Sequence, residues 1–170
     1  VIEMATAAGL VLVGGPEEND AIEASTRGVG ELIVSAVEAG ARRIVLGVGG
    51  SATTDGGLGA LKAMHPTQRF RGIDLLVACD VRTWFVDAAE VFAPQKGATP
   101  SQVALLRRRL DRLAQVYKME TGVDVAEVDG SGAAGGLAGG LLTIGAKLMS
   151  GFEFIADVLG LDEAIEGADL

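Results

Sequence analysis

Arg43-Ile44-Val45-Leu46-Gly47-Val48-Gly49-Gly50-Ser51-Ala52-Thr53-Thr54-Asp55-Gly56-Gly57 is the stretch on which the reading of the fold turns. The apolar run Ile44, Val45, Leu46 and Val48 ends in glycines, which predicts a buried strand passing into a loop. Upstream, Ser25 or Thr26 is placed to cap a helix whose apolar positions Leu32, Ile33, Ala36 and Val37 follow helical spacing, with Gly40 as its stop. Downstream, Leu58, Leu61 and Met64 continue as a helix. A second buried strand is expected at Leu75 to Ala78, ending at Asp80, with a weaker helical stretch between Trp84 and Phe92 that Pro94 closes. Such alternation of strand and helix predicts an α/β fold. With no internal repeat, low-complexity tail or linker, residues 1–170 read as one unit.

The clearest helix starts at Thr99-Pro100-Ser101-Gln102, where a capping hydroxyl, a first-turn proline and a glutamine stand in capping-box spacing. Val103, Leu106, Leu110 and Leu113 form its apolar face. Arg107, Arg108, Arg109 and Arg112 fall mainly around the other side, where a solvated face is expected.

Composition narrows the classes of function. The 170 residues carry 14 basic and 23 acidic side chains, a net charge of −9, which argues against a general nucleic-acid or anionic-membrane surface. The chain is 49% hydrophobic but only 4% aromatic and holds 25 glycines, so its core is aliphatic and threaded with glycine turns. Cys79 is the single cysteine, which rules out an intrachain disulfide and paired-cysteine zinc sites and fits a reducing cytoplasm. The uncharged stretch Gly130 to Ala146 approaches membrane-spanning length. Its seven glycines predict a packed segment instead. Nothing reads as a signal peptide, and Met4 is internal, so the chain reads as a piece of something longer.

Four clusters could carry chemistry. Gly47 to Gly57 lies where a strand passes into a helix, a place where backbone N–H groups and a helix N-terminus receive an anion, so Ser51 and Thr53 could complete an oxyanion cradle. Equally, Thr54 or Asp55 could cap the helix while the glycines make a tight turn. Asp80 ends a strand, where open α/β sheets present ligand groups; it could hold Mg²⁺ or orient a hydroxyl, or equally cap the next helix. Gln95-Lys96-Gly97 places a compact cation beside a flexible backbone. Gly47 to Ala52 and Gly130 to Gly135 fit the loose dinucleotide patterns, which keeps a nicotinamide-dependent oxidoreductase as an alternative, although Asp80 lies well beyond the spacing from Gly47 at which a ribose contact is expected. A P-loop is excluded, since no Gly-Lys-Ser/Thr is present. Ser51 and Ser131 lack a nucleophile elbow, His65 has no partner for a metal site, and Cys79 reads as packing.

In order, Gly49-Gly50-Ser51-Ala52-Thr53, Asp55-Gly56-Gly57, Ala78-Cys79-Asp80-Val81, Phe92-Ala93-Pro94-Gln95-Lys96-Gly97-Ala98 and Gly132-Ala133-Ala134-Gly135-Gly136 resemble the bacterial glycerate kinase family. Ser25-Thr26-Arg27-Gly28 and Gly30-Glu31-Leu32 support the match, which spans essentially the whole chain. The resemblance implies transfer of the γ-phosphoryl of MgATP to D-glycerate, with the 2-hydroxyl the usual acceptor, ATP as co-substrate and Mg²⁺ as cofactor. It implies catalytic parts for Asp55, Asp80 and Lys96, with Asp55 or Asp80 serving Mg²⁺ or the hydroxyl. Gly49, Gly50, Ser51, Thr53, Gly56, Gly57, Gln95, Gly97, Gly135 and Gly136 would surround substrate and nucleotide.

The family fold has two α/β domains with the active site between them, one built from both chain ends and the other from the middle. This chain resembles the middle. The family's Asp-Gly-Gly-Glu-Gly and Gly-Glu-Gly segments are expected outside residues 1–170, so these residues alone are expected to be a poor kinase. A non-catalytic ligand-binding domain derived from the kinase is a further alternative. Three departures stand out: Thr54 where the family commonly has asparagine, Arg82-Thr83-Trp84-Phe85 in place of an Asn-Pro-containing stretch, and a connection from His65 to Gly72 much shorter than the family's.

Overall fold

Four parallel strands, β1 (Ile2–Glu3), β2 (Arg43–Gly47), β3 (Asp74–Ala78) and β4 (Lys147–Met149), lie side by side in chain order in the computed structural model, which describes residues 1–166. β2 and β3 pair over five residues, from Arg43 opposite Asp74 to Gly47 opposite Ala78. Both read as unbroken apolar runs because a parallel strand has little solvent on either face. Val48, expected in the strand, already belongs to the loop beyond it.

The connections are helical. α1 (Ala5–Ala8) and α2 (Arg27–Glu38) lead from β1 to β2, and α3 (Leu58–Ala63) leads from β2 to β3. From β3 to β4 the chain passes through α4 (Ala88–Phe92), α5 (Pro100–Thr121) and α6 (Ala133–Leu142); α7 (Gly151–Leu159) and α8 (Leu161–Ile165) follow β4. Adding each parallel strand beside the last with crossovers of one hand puts the connecting helices on one face. Accordingly Ile44, Leu46, Leu75 and Val77, alternate residues of β2 and β3, meet Val29 and Ile33 of α2, Ala60 of α3 and Leu137 and Leu141 of α6. Fully burying each Val, Leu or Ile side chain among them stabilises the fold by about 1.5–3 kcal/mol.

A second core lies behind the first and contains no strand residue. Phe85, Ala88 and Ala89 pack on Leu106, Leu110 and Tyr117 of α5, with the Phe85 and Tyr117 rings edge to face at 6.0 Å. The capping box at Thr99 is formed: the Gln102 amide donates to the Thr99 hydroxyl, and the Gln102 side chain accepts from the Thr99 amide. α6 is packed against both cores, with Ala133 through Leu141 all buried, so the long uncharged stretch is a packed segment. Among the described residues no helix is long and apolar enough to cross a membrane.

Candidate active site

β2 and β3 end next to each other, and the loops that leave them open a cleft of about 460 Å³. From β2 come Val48, Gly49, Gly50 and Ser51; from β3 come Cys79, Asp80 and Val81. The N-terminal segment straps this edge, because the Leu10 amide donates to the Gly50 carbonyl and the Ala52 amide to Ala8. The far wall is Phe92, Gln95 and Lys96, where α4 gives way to a tight turn, together with Ala133 and Ala134 at the start of α6.

Lys96 is the cation of this cleft. It is only 2% exposed, and its ammonium donates to the Thr53 carbonyl at 2.6 Å. Burial pushes its pKa down to about 8, an effect that the negative charge of Asp55 opposes. The Asn19 amide group holds the wall in place by donating to the carbonyls of Ala52 and Lys96, at 3.0 and 2.8 Å. Asn19 has no motif around it, and only its two partners, far apart in the chain, reveal its part.

Asp80 divides its two oxygens. Oδ1 accepts from the Ser150 hydroxyl at 3.0 Å and from the amides of Gly151 and Phe152 at 2.9 and 3.3 Å, so that Asp80 caps α7 from across the sheet. Oδ2 makes no hydrogen bond among the described residues. The helix that Asp80 caps is thus not the next one in the chain. Burial pushes the pKa of the neighbouring Cys79 thiol up, and the thiol donates a hydrogen bond to the Val81 carbonyl at 3.3 Å, as suits a packing residue.

Asp55 lies elsewhere. It lines a different cleft, with Ser25, Arg27, Glu31 and Lys62. Its Oδ2 accepts from the amide and the hydroxyl of Thr26, both at 2.9 Å, and from the Gly59 amide at 3.1 Å, while Oδ1 accepts from the Gly57 amide. The Thr26 hydroxyl in turn accepts from the Ala60 amide. Asp55 therefore braces the starts of α2 and α3 against each other. Replacing Asp55 by alanine leaves these backbone donors without their partner and is expected to cost about 2 kcal/mol, read as a lower urea midpoint. An unchanged midpoint would remove this bracing role.

The remaining expected positions form the floor rather than the lining. Thr53 is buried beneath Lys96, and its hydroxyl, like that of Thr54, has no partner among the described residues. Gly56 and Gly57 sit under Phe85 and α6, Gly97 packs on the Pro16 carbonyl, and Gly135 and Gly136 lie over Thr53 and Gly56. Ala134, Gly135 and Gly136 all have positive φ, so α6 begins with a kink that carries the Gly135 carbonyl to the Gly56 amide.

Neither dinucleotide pattern has the setting it needs. Gly47 to Ala52 follows β2, but Ser51 pairs antiparallel with Gly9 and α3 starts only at Leu58. Gly130 to Gly135 follows no strand, and among the described residues the sheet keeps chain order, without the strand reversal at which dinucleotides bind.

Comparison with known proteins agrees with the motif order. A family model described as the glycerate kinase family matches residues 1–67 and 64–170. The junction falls at the short connection beginning at His65. Glycerate 2-kinase of Escherichia coli (strain K12) is 37% identical over 201 residues, covering 99% of this chain and 52% of the relative. Glycerate kinase of Bacillus subtilis (strain 168) is 36% identical over 202 residues, covering 100% of this chain and 53% of the relative. A crystal structure assigned as glycerate kinase 2 from Salmonella typhimurium LT2 matches with a TM-score of 0.88 and 35% identity, covering 99% of this chain and 53% of the other. The chain spans about half the length of the curated relatives it matches.

Proposed function

The chain belongs to the glycerate kinase family, and from that premise we propose that the protein transfers the γ-phosphoryl group of MgATP to D-glycerate, with 2-phosphoglycerate as the product. Residues 1–170 are taken as one α/β unit, the middle of a longer kinase whose other half completes the cleft. The observation that carries the reading is the meeting, in one cleft, of the Gly49–Ser51 backbone, the buried Lys96 ammonium and the Asp80 carboxylate. Phosphoryl transfer asks a protein mainly for positioning and charge neutralisation, and these groups supply both.

In this proposal Lys96, held in place by the Thr53 carbonyl, neutralises charge on the phosphates. Gly49 and Gly50 let the backbone approach an anion, with Ser51 and Gln95 offering polar side chains at either wall. Of the two carboxylates, Asp80 is assigned to Mg²⁺, because its Oδ2 is free whereas both oxygens of Asp55 are engaged. Among the described residues no three His, Cys, Asp or Glu side chains cluster as a metal site. That suits Mg²⁺, which is commonly bound through one or two carboxylates, waters and substrate phosphates. When held by Asp80, the ion would supply positive charge to offset the charge of the phosphates. Gly56, Gly57, Gly97, Gly135 and Gly136 shape the floor on which these groups stand. The nicotinamide reading gains no support from the relatives found.

The test is phosphorus NMR of the full-length protein with Mg²⁺, ATP and D-glycerate. A new phosphomonoester signal at the position of 2-phosphoglycerate, growing with ADP, is expected. A 3-phosphoglycerate signal would overturn the regiochemistry, and silence from the full-length protein would overturn the kinase reading.

A further inference from the structure

Asn19 does not line the cleft that holds Lys96, yet its side chain ties two of the cleft's walls together. One wall is the loop after β2, and the other is the turn Pro94–Lys96. The backbone amides of that turn are spent locally, Lys96 donating to Ala93 and Gly97 to Pro94. Among the described residues, two side chains therefore carry every hydrogen bond that links the turn to the loop. The Lys96 ammonium donates to the Thr53 carbonyl, and the Asn19 amide group spends its two N–H groups on the carbonyls of Ala52 and Lys96. Asn19 is itself fixed by the N-terminal strap. Its backbone amide donates to the Gly15 carbonyl at 3.1 Å, and the Pro16 carbonyl packs against Gly97 so closely that a Cβ there would overlap it.

A lysine carries its charge on a flexible four-carbon stem, so the place of the ammonium is set by where its backbone is anchored. Without Asn19, the Lys96 backbone would be linked to the loop by hydrogen bonding through the ammonium alone, the same group that the kinase reading assigns to the phosphates. We propose that Asn19 is a positioning residue for phosphoryl transfer: its amide fixes the distance between the β2 loop and the Lys96 turn, and so holds the Lys96 ammonium in register with the Gly49–Ser51 backbone. It touches no substrate and acts through Lys96. The inference rests on the kinase reading above and adds to it a residue that no cleft-lining motif contains.

The experiment compares full-length wild type, N19A, N19S, K96M and the double variant N19A/K96M in steady-state assays with ATP and D-glycerate. Misplacing the ammonium is expected to lower kcat/KM by about 10–10²-fold in N19A, mainly through kcat. N19S keeps one donor and should fall between N19A and wild type; it carries the same comparison should N19A fold poorly. On the K96M background the Asn19 substitution should change kcat/KM by no more than about twofold, because the group it positions is gone. A merely structural role would lower activity by the same factor on both backgrounds, and that result, or wild-type kcat/KM in N19A and N19S, overturns the inference. A second reading needs no turnover: acetylation of Lys96 by acetic anhydride, followed by mass spectrometry below the thermal midpoint. Its rate should rise in N19A and N19S toward that of the exposed Lys62, and an unchanged rate overturns the inference. Wild-type protein that forms no phosphoglycerate overturns the kinase reading and Asn19's part in it, while the acetylation rates still decide whether Asn19 holds Lys96 in place.

Discussion

Lys96→Met is expected to lower kcat/KM for phosphoryl transfer by about 10²–10³-fold, the scale of removing one preorganised charge from a water-poor site. The same substitution tests the electrostatics of the folded chain without reference to any ligand. Lys96 is 2% exposed, and burial brings its pKa from 10.5 to about 8. Between about pH 8 and 10.5 the unfolded chain therefore holds a proton that the folded chain has released, and wild-type stability rises with pH across that window. Below about 8 both states are protonated, and the cost of the buried charge is constant, about 3 kcal/mol for such a shift. Methionine titrates nowhere. Urea unfolding at pH 7 and pH 10 should then show the variant losing ground to the wild type as pH rises, by up to about 3 kcal/mol. Wild-type kcat/KM should fall over the same start of the window, as the ammonium loses its charge. Parallel stability curves for the two proteins would show that Lys96 is not held near 8, and an active K96M would remove it from the mechanism.

The second large effect is at Gly135, where Gly135→Ala should cost about 2–5 kcal/mol, the sum of left-handed strain and overpacking. Its φ is +66°, and a Cβ there would lie 2.5 Å from the Thr54 Cα and closer still to the Thr53 carbonyl oxygen. Those atoms are backbone of the segment that carries Lys96's acceptor, so they cannot turn aside as a side chain would. Relief would require α6 to move away from Thr53 to Gly56, breaking the Gly56 amide's bond to the Gly135 carbonyl. The expected readings are a drop in thermal midpoint and weaker MgATP binding together. A variant with wild-type midpoint would mean that α6 is free to shift, and the floor of the cleft would not depend on this contact.

Much of the architecture could be read from short-range pattern. The runs around Ile44 and Leu75, the stop at Gly40 and the capping box at Thr99 are all local signals, and each forms as expected. β1, with two residues, and β4, with three, carry too little pattern to read; each becomes a strand only because β2 or β3 offers it an edge. α7 was also missed. None of its residues is buried, and its N-terminus is held by Ser150 and by Asp80 rather than by a periodic core face. The kinked start of α6 was hidden because its glycines read equally well as a loop.

Ordered motifs in the sequence were sufficient to place the chain in its family, since each motif depends on residue types a few positions apart. Which of the motif residues face the cleft was decided only by tertiary contacts. Asp55 and Asp80 look alike as acids beside glycines or strand ends. One is used up by Thr26, 29 residues earlier, and by the neighbouring turn, while the other gives a single oxygen to donors 70 to 72 residues later and keeps its second free. Lys96 likewise is buried only because the fold brings it to a carbonyl 43 residues away, and that burial is what lowers its pKa. Local sequence sets backbone conformation through steric and hydrogen-bonding preferences within a few residues. The availability of a charge depends on what the folded chain brings to its lone pairs and how much water it leaves there.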